Sequence, residues 1–345
     1  MTRPMRIVHA VCSAEFAGVE QLIRRLAIAQ ARVGHEVTVL GGSPEMMADS
    51  LARAGVSFRP AVSMVDVARS LHALRNDIDV VNTHMTAADG AAVVASWFHR
   101  RPLVSTRHFA QPRARFRPLG KAFERRIDAE IAVSRAVADA IGVRSTVVHP
   151  GVDPVPSRDV EPRERVILMA QRLQPEKHTA IGIHAFALSG LAAEGWRLVI
   201  AGEGPDLPHL AAQAQGLGID SSVSFLGFRR DVGLLMGSSS LLLATCPFEH
   251  LGLTVLEAMA AGLPVVAADA GGHAELLTGI DRRTFFPPDD AYAAAANLRA
   301  LASEPAARDA IARAARARQV AEFSLSAQES ATLAVYRRAM AVRGR

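Results

Sequence analysis

The chain has 345 residues, half of them hydrophobic and 21% charged, enough for two ordinary domains that each bury a core, which excludes disorder as a description. Its two cysteines, Cys12 and Cys246, belong to no CxxC or Cys/His cluster, so neither a disulfide framework nor a structural zinc site is suggested and a reducing cytoplasm is expected. The formal charge of +5, carried mainly by arginine, suits phosphate-bearing partners without naming one.

In chain order, Arg6 to Val11 reads as a first strand and not as a signal peptide, because Glu15 follows at once and no small-residue cleavage site is evident. Phe16-Ala17-Gly18-Val19-Glu20 then turns the chain into a helix, with Gly18 letting the backbone come close to a phosphate or a sugar. Further strands are expected at Glu36 to Leu40, Asp79 to Asn82, Leu103 to Thr106, Glu130 to Val133 and Thr146 to His149, separated by amphipathic, alanine-rich segments. That is the βα rhythm of a parallel sheet. His84 ends one of these strands, and Arg107 and His108 follow another. An isolated histidine is more often structural than functional. The stretch Arg107 to Arg126 gathers seven cations against one acid, Glu124, with Phe109, Phe116 and Phe123 interleaved. It fits a nucleic-acid face, an anionic membrane face, a phosphorylated-acceptor site, or simply a solvated basic helix.

Between Pro150 and Arg165 the composition turns to Pro154, Pro156, Pro162 and charged residues, a linker signature. The rhythm then restarts with strands expected at Arg165 to Ala170, Arg197 to Ala201, Val223 to Leu226, Leu241 to Ala244 and Pro264 to Ala267. Ser326 to Glu329 is a capping-box pattern opening a last helix near Leu333 to Met340. The expectation is an α/β chain of two doubly wound parallel-sheet domains, residues 1–156 and 157–325, with a C-terminal helix over 326–345 that returns to the N-terminal domain. Ligands of such sheets bind at the carboxyl ends of the strands, so two sheets facing each other form a cleft. No membrane-spanning helix is expected: Gly90 to Phe98 is too short, and Leu251 to Ala270 is interrupted by Glu257 and Pro264.

The strongest local signal is Glu249-His250-Leu251-Gly252-Leu253-Thr254-Val255-Leu256-Glu257. A strand leads into the loop that holds Glu249, and a helix begins near Gly252. The free amides around Leu251 to Thr254, Leu253 and Thr254 among them, form a phosphate seat at that helix start. Glu257 on the helix suits the two hydroxyls of a ribose, and Glu249 the hydroxyls of a sugar beyond the phosphates. Spacing alone favours the bland alternative of a loop acid and a surface helix acid.

The glutamate, seven residues, glutamate arrangement resembles the signature of glycosyltransferase family 4. Gln171-Arg172-Leu173 with Glu176-Lys177, Gly202-Glu203-Gly204-Pro205, and Gly271-Gly272-His273-Ala274-Glu275 resemble other segments of that family in the same order. The N-terminal half resembles it less: Ala17 stands where a first glycine is usual, Pro150 where asparagine is common, and His250 where glycine is common. The resemblance implies the GT-B fold, a group 1 type donor domain in the C-terminal half, and an acceptor domain in the N-terminal half. It implies that Glu249 meets the donor sugar and Glu257 the ribose. It also implies that Arg172 and Lys177 clamp the diphosphate, that Gly18 lies on the donor side, and that His108 faces the reacting sugar. His84 and Arg107 are acceptor-side candidates. No cofactor is implied beyond the nucleotide-diphosphate sugar, with UDP or GDP as the carrier. No metal is implied either, since Asp289-Asp290 reads as a helix cap. The implied reaction is front-face displacement with retention at the anomeric carbon, with the leaving diphosphate stabilised by Arg172, Lys177 and helix-terminal amides. The expected setting is the cytoplasm, with an inner membrane face and cell-envelope glycolipid or polysaccharide synthesis as extensions.

Rival readings differ in what they require. A dehydrogenase lacks its fingerprint here, because Leu207 stands where a third glycine is needed. A sugar-nucleotide epimerase shares the architecture and would release free nucleotide with no acceptor. A non-catalytic binder of nucleotide sugars or of nucleic acid would show salt-sensitive binding and no donor hydrolysis, and nucleic acid ranks low as a partner.

Overall fold

β-Branched runs that alternate with alanine-rich segments become strands and helices in the computed structural model, which describes residues 3–111, 125–153 and 163–343. The chain divides into two units, Met1–Gly151 with Leu325–Arg345, and Val152–Ser324. The expected division at residue 156 falls among residues 154–162, outside the described residues.

The first unit runs β1 (Arg6–Ala10), α1 (Gly18–Arg32), β2 (Glu36–Leu40), α2 (Pro44–Arg53), β3 (Ser57–Arg59), α3 (Met64–Ala73), β4 (Val80–His84), α4 (Thr86–Ala95), β5 (Leu103–Arg107), β6 (Ala129–Ala132), α5 (Arg135–Ile141) and β7 (Thr146–Val147). Its strands pair in parallel in the order β3-β2-β1-β4-β5-β6-β7. The order reverses between β1 and β4, the switch point at which such sheets open a crevice. Side chains alternate between faces: Ile7, Val80, Val104 and Ile131 join one core with α1 and α2, and Val8, Val81 and Leu103 join the other with α3 and α4. Period-2 alternation with both faces apolar is what a sheet covered on both sides requires.

The second unit runs β8 (Glu164–Ala170), α6 (Thr179–Ser189), β9 (Arg197–Ala201), α7 (Leu207–Gly216), β10 (Val223–Phe225), α8 (Val232–Ser238), β11 (Ser239–Ala244), α9 (Leu253–Ala260), β12 (Val265–Ala268), α10 (Gly271–Leu277), β13 (Phe285–Phe286), α11 (Ala291–Ser303) and α12 (Pro305–Glu322). Its sheet is also parallel, in the order β10-β9-β8-β11-β12-β13, and its switch point lies between β8 and β11. Two apolar clusters cover its two faces.

The last helix, α13 (Leu325–Arg343), belongs to the first unit. Leu333, Val335, Tyr336 and Ala339 enter the core that α1 covers, and Gln328 accepts a bond from the Gly151 amide at 2.9 Å. The helix starts one residue before Ser326, so Ser326 lies inside its first turn and does not cap it. Asp290 accepts from the Ala293 amide at 2.9 Å and caps α11, while Asp289 pairs with His178.

Candidate active site

On the α1-covered face of the first sheet, the side chains change character toward the carboxyl ends of the strands. Ile7, Val80 and Val104 are followed two residues later by His9, Asn82 and Thr106, and His84 and His108 come one further step along. All five polar side chains are buried. They are joined: His108 Nε2 lies 2.9 Å from His84 Nδ1, His84 Nε2 3.0 Å from His9 Nδ1, and His9 Nε2 2.8 Å from Gln30 Oε1 on α1. Beside this row the Thr106 hydroxyl donates to Asn82 Oδ1 at 2.8 Å, and Asn82 Nδ2 donates to the Tyr336 hydroxyl at 2.7 Å. Burial drives the imidazoles toward the neutral form: His9 and His108 titrate near 4, and His84 falls well below its usual value, with its two histidine neighbours adding to the effect. A cavity of about 20 Å³, room for one water molecule, lies against His84, Thr106 and His108.

Gly18 is the exposed first residue of α1, and the Glu20 carboxylate reaches back to the Ala17 amide at 3.0 Å. Arg107 is 6% exposed, with its guanidinium 3.9 Å from Glu130 and a bond to the Gln111 carbonyl, so it is engaged within its own unit. Arg126 lies 3.5 Å from Asp128. Both described ends of the basic run Arg107 to Arg126 are thus engaged internally. Residues 112–124, the bulk of that run, lie outside the described residues.

The second unit gathers its candidates at the carboxyl ends of β8 and β11, its own switch point. The chain leaves β8 through Gln171 and Arg172, and the Gln171 side-chain amide donates to the Lys177 carbonyl and to Thr179 and Thr245. These bonds hold a single turn, Pro175–Lys177, that presents Lys177. Its ammonium meets Glu249 Oε2 at 2.8 Å, both side chains being about one-fifth exposed, at 18% and 20%. Burial alone would push Glu249 up, but Lys177, with His273 and His250, outweighs it and holds the carboxyl below its usual range. For Lys177 burial works downward, and Glu249 with Cys246 leaves it raised. Both groups are charged at neutral pH. Arg172, two-thirds exposed and 3.5 Å from Glu176, is a surface cation held by a pair of small energetic weight.

The loop carrying Glu249 rests on the start of α10. The Gly272 amide donates to the Glu249 carbonyl at 2.8 Å, and a Cβ on Gly272 would run into the backbone of Leu251. Gly252, the cap residue of α9, takes φ 93°, and a Cβ there would lie 2.7 Å from the His273 ring. That left-handed turn aims the free amides of Leu253 and Thr254 out of the helix start. Thr254 also donates its hydroxyl to the Ala170 carbonyl at 3.1 Å, tying α9 to the end of β8. Glu257, half-buried, stands one turn after Leu253 on the same side of α9.

Arg172, Lys177, Glu249, Leu253, Thr254 and Glu257 therefore share one end of the second sheet, and His84 and His108 share one end of the first. Sequence reasoning misses His9, Gln30 and Tyr336, which read as core of a strand and of helices. It also leaves His273 without a role: that side chain is buried, its Nδ1 3.2 Å from the Ala268 carbonyl, and it acts electrostatically on Glu249. Among the described residues no three His, Cys, Asp or Glu side chains form a group able to hold a metal ion, and no helix is long and apolar enough to cross a membrane.

Two family profiles match the chain: "Glycosyl transferases group 1" over residues 156–318 and "Glycosyltransferase Family 4" over residues 16–155. Among curated proteins the chain is 26% identical to a glycogen synthase of Mycobacterium tuberculosis, over 92% of this chain and 90% of that one. It is 26% identical to a lipopolysaccharide core biosynthesis mannosyltransferase of Rhizobium leguminosarum, over 97% and 96%. A shorter stretch, 42% of this chain and 41% of the relative, is 36% identical to a GDP-mannose-dependent phosphatidylinositol dimannoside mannosyltransferase of M. tuberculosis. In fold the chain is similar to the Anabaena protein HepE solved with UDP and glucose, with a TM-score of 0.80 at 22% identity over 96% of this chain and 98% of that one. A glycosyltransferase from Rickettsia africae gives 0.81 at 18% identity over 98% and 99%.

Proposed function

Given that this chain belongs to the group 1 glycosyltransferases of family 4, we propose that it moves a sugar from a UDP- or GDP-sugar to an acceptor hydroxyl with retention at the anomeric carbon. The observation that carries this reading is the charged pair of Lys177 and Glu249 at 2.8 Å, set beside the open amides of α9 at the switch point of the second sheet. In it the diphosphate lies on the Leu253 and Thr254 amides, with Arg172 and Lys177 neutralising its charge, so that no resident metal is called for. Glu257 holds the ribose. Glu249, tied through one oxygen to Lys177, accepts hydrogen bonds from sugar hydroxyls and does not serve as a nucleophile. The leaving diphosphate takes the proton of the acceptor hydroxyl on the face from which it departs, and His108 orients the sugar.

The choice of UDP or GDP is supported by relatives named for UDP complexes and for GDP-mannose dependence. An envelope glycolipid or polysaccharide acceptor is supported by relatives named for phosphatidylinositol dimannoside and lipopolysaccharide core. For a lipid-linked acceptor, Arg113, Arg115, Arg117 and Lys121, the cations inside the run Arg107 to Arg126, are the ones we assign to the anionic surface on their sequence alone.

A panel of UDP-, GDP- and ADP-sugars, scored for released nucleotide, tests the reading. One carrier should be turned over, the product anomer should keep the donor's configuration by NMR, and Glu249→Gln and Lys177→Met should each lose about 100-fold in kcat. Co-flotation with anionic vesicles at low salt, and none at high salt, checks the membrane part. Calorimetry showing that no nucleotide sugar binds at all would overturn the transferase reading.

A further inference from the structure

The row of histidines in the first unit runs on past the residues needed to touch a sugar. His108 and His84 are followed inward by His9 on β1 and by Gln30 on α1, each joined to the next at 2.8–3.0 Å. Successive rings lie 5.2 and 5.3 Å apart between centroids, at interplanar angles of 36° and 29°. A neutral imidazole carries one N–H and one lone pair, so a row of them must point all one way, and whatever terminates the row chooses the direction. The inner end holds that choice. The atom that meets His9 Nε2 there is the Gln30 carbonyl oxygen, at 2.8 Å, and an amide oxygen can only accept. His9 must then carry its proton on Nε2 and accept on Nδ1, His84 repeats the pattern, and His108 donates from Nε2.

Resting on the transferase reading, we infer that Gln30 and His9 are positioning residues that fix the tautomer of His108, leaving its Nδ1 lone pair as the group offered to a sugar hydroxyl. His108 in this state accepts a hydrogen bond. Toward the sugar it neither donates one nor carries charge, and its orientation is set three links along the row by a glutamine that meets no substrate. The buried, depressed titration of all three rings agrees with a row that stays neutral at working pH.

Long-range nitrogen–proton NMR of the full chain labelled with nitrogen-15 in histidine reads each tautomer without any substrate, with His84→Asn and His108→Asn supplying the assignments. His108 should show a protonated Nε2 and a bare Nδ1 in the unliganded protein. In Gln30→Leu and His9→Phe that pattern should become a mixture of tautomers, and kcat on the donor found active should fall about tenfold, one hydrogen bond's worth, with KM little changed. His9→Asn, which keeps a polar atom where Nδ1 stood, should recover most of the loss. A protonated Nδ1 on His108 in the wild-type chain, or a His108 spectrum indifferent to Gln30→Leu in a chain that still folds, overturns the inference. Intact tautomers with no donor turnover would count against the transferase reading and leave the positioning role standing.

Discussion

His9, His84 and His108 are neutral because they are buried, and each must gain a proton when the chain unfolds in mild acid. Their folded values lie below the unfolded value of 6.5, near 4 for His9 and His108 and well below 6.5 for His84. His99, also in the first unit and near 4, adds to them. A depressed histidine value means that stability is full above about pH 6.5 and drains away as pH falls toward 4, because only the unfolded chain binds the proton there. Peptides of the first unit should thus lose hydrogen-exchange protection between pH 6.5 and 5, before carboxylates titrate. Protection that stays level over this range would show that these rings are hydrated. His84 and His108 are legible in the sequence because each follows a strand whose neighbours match a family segment. His9 is not: two residues after Ile7 in a short apolar strand, it carries the same period-2 signal as any core position, and only the pairing of β1 with β4 brings it to His84.

At the level of elements, the two loops that matter are held by close backbone contact more than by side chains. The loop of Glu249 lies on Gly272 with no room for a Cβ, so Gly272→Ala must push that loop off α10. The cost should be about 1–3 kcal/mol, typical of overpacking, and donor affinity should fall with it as Glu249 leaves Lys177. Urea melts and calorimetry on the same sample test this, and unchanged stability would mean that the loop yields freely. Longer strands are legible from β-branched runs, since periodicity needs several residues to declare itself. β3 and β13, with three and two residues, are too short to carry that signal and exist because parallel neighbours supply their bonds. The loops of the second unit are legible for a different reason: their glycines and charges are required one by one, so they leave a readable spelling.

At the scale of the whole molecule, the second unit is one segment of sequence and the first is not. The first sheet is completed by α13, whose Tyr336 is fully buried and whose Leu333, Val335 and Ala339 are buried with it. Burying one large apolar side chain is worth about 1.5–3 kcal/mol, so losing this helix removes an amount comparable with a domain's net stability of about 5–15 kcal/mol. A chain ended at Ser324 should therefore keep the cooperative unfolding of the second unit and lose that of the first. Two transitions in the full chain and one in the shortened chain, followed by calorimetry, would bear this out; two transitions in both would refute it. The doubly wound pattern of each half is visible in the sequence. The return of the last helix to the first domain is part of the expectation too, although its capping signal shows only where a helix starts and nothing about which sheet it will cover.

That return sets an order in time. A ribosome finishes β7 and then makes the whole of the second unit before it reaches Leu325. Throughout that interval the nascent first sheet lacks the cover that α13 will provide, and its apolar residues stand open to whatever chaperone attends the exit tunnel. The tyrosine that holds Asn82 likewise arrives only after the whole of the second unit. The first unit is thus completed only after the second has been made, and a product clipped before Leu325 lacks that cover.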